Sequence, residues 1–138
     1  EEALWPFTDP GGSENTRDEF HGSGIENVED IRQVFDKNYF FGCEADDPSN
    51  ATAFDTKRNP GGLCLNAIFS SDIGHWDVPD NREVLAEAFE LVEKELFTVD
   101  DFRAFTFENA VALYTAGRPD FFAGTSVEDA IPAAPAAS

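Results

Sequence analysis

The 138-residue sequence lacks methionine and contains only two cysteines, two histidines and nine basic residues. Cys43 and Cys64 form no CxxC pair, which excludes zinc-finger and thioredoxin-like patterns and predicts buried free thiols in a cytoplasmic protein. No run approaches the roughly 20 apolar residues of a membrane span, and no signal-peptide pattern opens the sequence. Because the chain opens on Glu1 and not on methionine, we expect a processed product or a piece of a longer protein.

Acidic residues dominate the charge, with 28 of them giving a net charge of −19. Such a field repels nucleic acids and anionic membrane surfaces, so neither is an expected partner. Most of these carboxylates are expected to form a solvated surface. The 41% of hydrophobic residues, with fourteen phenylalanines, nevertheless predicts a globular domain with a core.

Hydrophobic spacing predicts an alternation of helices and strands. A helix is expected from Ile25, with Ser23 or Asn27 as its cap, followed by apolar strands over 38–43 and 65–70 that are buried on both faces. A helix over about 79–96 follows, and the residues of its apolar, inward-facing stripe are Val84, Leu85, Ala88, Phe89, Val92 and Leu96. Its charged residues, including Glu87, are expected mostly on the opposite, solvent face. A short helix capped by Thr98 and a last helix over about 106–116 complete the pattern.

This order predicts an α/β fold in which the two strands pair in parallel. Two parallel strands alone leave two open edges, so the pattern is typical of the end of a barrel or of a larger sheet. The predicted organisation is a loop-rich lead-in over 1–24, the structured portion over 25–125 and a mobile tail over 126–138.

Ionisable residues follow both predicted strands, and parallel strands bring such residues to one rim. Glu44, Asp46 and Asp47 follow the first strand, and Asp72 and His75 follow the second. Asp72 is the sharpest candidate, because a carboxylate directly after a buried strand needs a cation or several hydrogen-bond donors. The alternatives remain that Asp72 caps a loop, that His75 is a surface histidine and that the first cluster is a solvated turn.

Residues 71–77 (SDIGHWD) resemble the S-D-x-x-H segment that ends the eighth barrel strand of the amidohydrolase-related family, which includes aminocarboxymuconate-semialdehyde-decarboxylase-like proteins. Residues 39–48 resemble the preceding strand of one branch of that family. Residues 102–114 resemble its terminal helix, and residues 119–125 the stretch after it. The resemblance covers roughly residues 20–128.

The resemblance implies the last two strands and terminal helices of a (β/α)₈ TIM barrel with a divalent metal ion, zinc or manganese, at its C-terminal face. Asp72 would bind the metal and move a proton, and His75 would orient it or face a small-molecule substrate. Glu44 would line the pocket, and Asn109 would tie the terminal helix to a loop. The activity implied is hydrolysis or decarboxylation.

The sequence departs from the family in lacking the N-terminal H-x-H pair and the histidines after the middle strands. His21 lies in a glycine-rich stretch and is not assigned as a ligand. Because Asp72 and His75 are too few for a catalytic zinc site, most ligands are expected outside this chain, which alone would be inactive. The alternative is a small acidic, non-catalytic binding domain that covers its strand edges by forming a homo-oligomer.

Overall fold

A computed structural model of the chain describes residues 22–132. Residues 1–21, which hold most of the predicted lead-in together with His21, lie outside the described part, as do residues 133–138 of the predicted tail. The helices and strands are α1 Val28–Asn38, β1 Phe40–Glu44, α2 Ala51–Phe54, β2 Asn66–Ser70, α3 Val84–Glu93, α4 Val99–Arg103, a π-helical turn Ala104–Glu108 and α5 Asn109–Gly117, with 3₁₀ turns at Pro48–Asn50, Pro60–Gly62 and Glu128–Ala130.

Two capping boxes fix where the helices begin. The Asn27 side chain accepts hydrogen bonds from the N–H groups of Glu29 and Asp30, and the Asp30 carboxylate accepts the Asn27 N–H in return. Thr98 and Asp101 form the same reciprocal pair at the start of α4. Each box satisfies N–H groups that the first turn of a helix leaves unbonded. The predictions of Asn27 and Thr98 as caps are confirmed.

The two strands pair in parallel, as predicted, with Phe40 opposite Asn66 and Glu44 opposite Ser70. Their burial differs from the prediction, because only Ala67 of the ten strand residues is buried. Alternation along each strand directs Phe41, Ala67 and Phe69 to one face of the sheet. The helices cover that face, whereas no buried cluster of the described residues lies on the other, which explains why the strands are only half-covered.

The core is a phenylalanine cluster on the helix side of the sheet. Phe105 is fully buried and makes edge-to-face contacts with Phe69 and Phe97, at ring-centroid distances of 5.9 and 5.5 Å. Ala67, Leu91 and Ala53 complete the buried cluster. Phe105 belongs to the π-helical turn Ala104–Glu108. This turn, which departs from α-helical geometry, therefore packs directly on β2.

Helix α3 is shorter than predicted, and only part of its predicted apolar stripe is buried. Val84, Ala88 and Leu91 are buried, whereas Leu85 and Phe89 are 52% and 41% exposed, and Leu96 lies beyond the helix with 42% of its surface exposed. The prediction that these last three residues face inward is therefore wrong. The structure therefore buries one side of the predicted stripe, at Val84 and Ala88, and leaves the other side exposed to solvent.

The last helix also differs in detail, because α-helical geometry resumes only at Asn109 and includes Gly117. Cys43 and Cys64 are free, as predicted, but Cys43 is half-buried and Cys64 is exposed, so the prediction of buried thiols is wrong. Cys64 precedes β2, and the nearby carboxylates include Asp36 of α1 and Asp101 of α4. Within residues 22–132, no helix combines the length and the apolar character that crossing a lipid bilayer requires.

Candidate functional site

A cleft of about 350 Å³ lies at the carboxyl ends of the two strands. Parallel pairing brings the end of β1 beside the end of β2, so side chains that are about 28 residues apart in sequence line one space. The residues lining it are Glu44, Ala45, Asp46, Ser71, Asp72, Asp77, Val78, Val84 and Glu87. The prediction that the two strand ends form one rim is confirmed, including the placement of Glu44, Asp46 and Asp72.

Asp47 does not belong to this cleft. Its carboxylate accepts the Ser49 N–H at 2.7 Å and caps the 3₁₀ turn that follows β1. That hydrogen bond stabilises the charged form, which lowers the pKa of Asp47 below its ordinary value. For this residue, therefore, the solvated-turn alternative describes the observed role.

Asp72 and His75 lie in a tight turn directly after β2. Asp72 Oδ2 is 3.0 Å from His75 Nδ1, and the His75 N–H donates to the Asp72 carbonyl oxygen at 3.2 Å. Asp72 adopts a left-handed backbone conformation with φ +51°, which aspartate tolerates better than most residues. Gly74, with φ +103°, lies in a region open to glycine but rarely to other residues. The local sequence therefore folds the loop back so that His75 returns to Asp72.

A third donor, Asp77, completes a possible ligand set. One donor atom each from Asp72, His75 and Asp77 lies within 4.8 Å of the other two. The predicted site contained only Asp72 and His75, and the D-x-x-H-x-D spacing within one loop was the signal that could have added Asp77. Among residues 22–132, Asp72, His75 and Asp77 are the one group of three acidic, histidine or cysteine side chains that lie close enough to share a metal ion.

The donor chemistry of this group fits zinc or manganese, since both take imidazole nitrogen and carboxylate oxygen. Three protein ligands are also the number in many catalytic zinc sites. Asp72 is the more enclosed member, with a side chain 28% exposed, whereas His75 is 67% exposed. Ligands at a tetrahedral zinc ion lie about 3.4 Å apart, as follows from bond lengths of about 2.1 Å. The 3.0 Å between Asp72 Oδ2 and His75 Nδ1 is close to that value, so small side-chain rotations would let the group hold one ion.

Glu87 lines the cleft from helix α3, although the sequence pattern predicted it on the solvent face. Its backbone N–H donates to Glu83 in the first turn of the helix, and its side chain reaches both this cleft and the outer side of α3. A residue at the border between the buried and exposed sides of a helix is not assigned by periodicity alone. With Glu87, five carboxylates and no basic side chain line the cleft.

Asn109 and Trp76 do not line the cleft. Asn109 donates from Nδ2 to the Ala67 carbonyl oxygen at 2.8 Å, so it ties the last helix to strand β2 and not to a loop. Trp76, between His75 and Asp77, is 94% exposed and does not line the cleft.

Comparison of the chain with protein-family models, with curated proteins and with solved structures finds no match.

Proposed function

We propose that this chain forms the last two strands and the terminal helices of an amidohydrolase-related barrel that carries out metal-dependent hydrolysis or decarboxylation of a small molecule. The sheet supports this proposal. Parallel sheets are normally covered on both faces, yet helices cover one face of β1–β2 and both outer edges are open among the described residues. Further strands would extend such a sheet toward a barrel.

The observation that carries the proposal is the position of Asp72. It follows the second parallel strand, lines the cleft and lies within 3.0 Å of His75 and close to Asp77. Functional groups of α/β barrels come from the carboxyl ends of the strands, which is where this cluster lies. His75 Nδ1 lies 3.0 Å from Asp72 Oδ2, a position from which the imidazole would orient the carboxylate at the mouth of the cleft.

The proposed roles follow from the side chains. Asp72 binds the ion and accepts a proton from water or from the substrate, and His75 orients the Asp72 carboxylate or contacts the substrate. A bound zinc or manganese ion would supply Lewis-acid polarisation and lower the pKa of a coordinated water. Asp77 is an additional ligand from the same loop. Other ligands would come from outside this chain, and its free thiols Cys43 and Cys64 support a reducing, cytoplasmic compartment.

The second candidate is a small acidic domain that binds a partner without catalysis. The fully buried Phe105 and its edge-to-face neighbours favour it, because they give residues 22–132 a core of their own. A cooperative, monomeric unfolding transition of the isolated chain would support this candidate. Self-association that covers the strand edges would be its oligomeric form.

Calorimetric titration of the chain with Zn²⁺ and with Mn²⁺ tests the metal-binding role. We expect one ion to bind, and Asp72→Asn to weaken that binding at least about 10-fold, as loss of a site residue commonly does. Asparagine also tolerates the left-handed conformation, so this substitution removes the charge without straining the turn. Asp129→Asn, in the exposed 3₁₀ turn near the C-terminus, is the matched control. Equal binding by wild type and Asp72→Asn would remove Asp72 from the site.

The size of the polypeptide in its source tests the barrel itself. An antibody against residues 72–114 is expected to detect a band well above 15.2 kDa, in the range of a barrel of about 250 residues. A single band at 15.2 kDa would refute the single-chain barrel and leave the small binding domain.

A further inference from the structure

An apolar groove lies between helices α3 and α4, on the side of α3 that faces away from the core. Leu85, Phe89 and Phe102 form its apolar surface, and the Phe89 and Phe102 rings meet edge to face at 5.2 Å. The groove encloses about 820 Å³ and is open to solvent. Because Leu85 and Phe89 are about half exposed, this is the apolar stripe of α3 that the sheet leaves uncovered.

The charged residues around this groove are acidic. Glu83, Glu87, Glu90 and Glu93 line it, together with one basic residue, Arg82. Arg82 is already bound to the Asp80 carboxylate through contacts of 2.9 and 2.6 Å, and Lys94 binds Glu90 at 2.7 Å. Within the part of the chain that the structure describes, Glu83, Glu87 and Glu93 form no ion pair. The rim therefore presents uncompensated negative charge beside an apolar surface.

We propose that the groove binds an amphipathic helix of another protein, with an apolar stripe that packs on Leu85 and Phe89 and lysine or arginine side chains that meet the glutamates. Helices bind in apolar grooves through side chains spaced three and four residues apart, and the groove runs along a helix that offers the same spacing. Complementary charges at the rim would set the orientation of the partner and its association rate.

Charge also argues against a second copy of the chain and against residues 1–21 as the occupant. A second copy would bring another set of glutamates and a net charge of −19 to the same rim. Residues 1–21 contain six acidic residues and one arginine, so they too would place negative charge against it. A basic partner is the occupant that the electrostatics favour.

The test uses a fluorescein-labelled peptide of about 18 leucine and lysine residues with leucine at helical spacing. Its reference is a scrambled peptide of identical composition, which has the same charge but no apolar stripe. Fluorescence anisotropy at about 0.15 M salt is expected to show the patterned peptide binding at least about 10-fold more tightly. The double variant Leu85→Gln/Phe89→Gln is expected to abolish that preference.

The matched control is Leu113→Gln, which changes an exposed leucine of α5 that does not line the groove, and it is expected to leave the preference unchanged. Glu83→Gln/Glu93→Gln is expected to weaken binding and to reduce its dependence on salt. Absence of binding, equal binding of the two peptides, or a preference that survives Leu85→Gln/Phe89→Gln would overturn the proposal. A dimer in sedimentation that the groove variant dissociates would assign the groove to a second copy. Tighter peptide binding after deletion of residues 1–21 would assign it to that segment.

Discussion

Removing the side-chain amide of Asn109 is expected to destabilise the fold by about 1–2 kcal/mol. The half-buried Nδ2 donates to the Ala67 carbonyl oxygen at 2.8 Å, a near-ideal distance across 42 residues of sequence. Truncation to alanine leaves that carbonyl without this donor, which costs about 1–3 kcal/mol when the acceptor is buried. Alanine recovers about 0.6 kcal/mol through its better helix propensity, so the middle of that range, about 2 kcal/mol, leaves a net loss of about 1.4 kcal/mol.

Urea unfolding followed by far-ultraviolet circular dichroism measures this loss. With a urea dependence of about 2 kcal/mol per molar, Asn109→Ala is expected to lower the midpoint by about 0.5–1 M at an unchanged slope. Asn81→Ala, at an exposed asparagine in the turn before α3, is the control and should shift the midpoint by less than about 0.25 M, the effect of an ordinary surface change. Equal midpoints for Asn109→Ala and Asn81→Ala would show that the tie between α5 and β2 does not stabilise the protein.

Three further predictions concern the core, a helix cap and the thiols. Phe105→Ala should cost about 3–5 kcal/mol in the same urea assay because the side chain is fully buried, whereas Val99→Ala, 65% exposed, should cost little; similar losses would contradict the assigned core. Thr98→Ala should cost about 0.5–2 kcal/mol by breaking the capping box with Asp101, and Thr98→Ser should restore most of it; an unaffected midpoint in Thr98→Ala would argue against the box. Partial burial of the otherwise exposed Cys64, and then the nearby carboxylates of Asp101 and Asp36, raise the pKa of its thiol. Iodoacetamide should therefore alkylate Cys64 more slowly at pH 8 than a free cysteine derivative, with the rate rising above pH 9; mass spectrometry that finds equal rates at pH 8 would refute this.

Local sequence signals predicted the features that depend on a few adjacent residues. Asn27 and Thr98 each lie three residues before an aspartate, and a capping box needs no contact from elsewhere in the chain. The two apolar runs predicted β1 and β2, and their alternation with helices predicted parallel pairing. That pairing was sufficient to predict that Glu44 and Asp72 lie at the same rim.

Features that depend on the shape of the sheet were not predictable in the same way. Leu85 and Phe89 share the apolar stripe of α3 with Val84 and Ala88, and periodicity gives no reason to bury one pair and expose the other. Tertiary packing buries Val84 and Ala88, and the apolar surface left exposed on α3 forms part of the groove beside Phe102.

The candidate site combines a local turn, residues 72–77, with a cleft wall that depends on tertiary packing. Residues 72–77 bring three donor groups together through one turn, with Asp72 in the left-handed region and Gly74 at positive φ. That arrangement is local and would survive changes elsewhere in the fold. The opposite wall, Glu44 and Glu87, depends on the pairing of β1 with β2 and on the packing of α3. Substitutions that loosen the sheet should therefore alter the cleft before they separate Asp72 from His75. Measuring metal affinity and unfolding on the same variant distinguishes a change in the cleft wall from a change in the 72–77 turn.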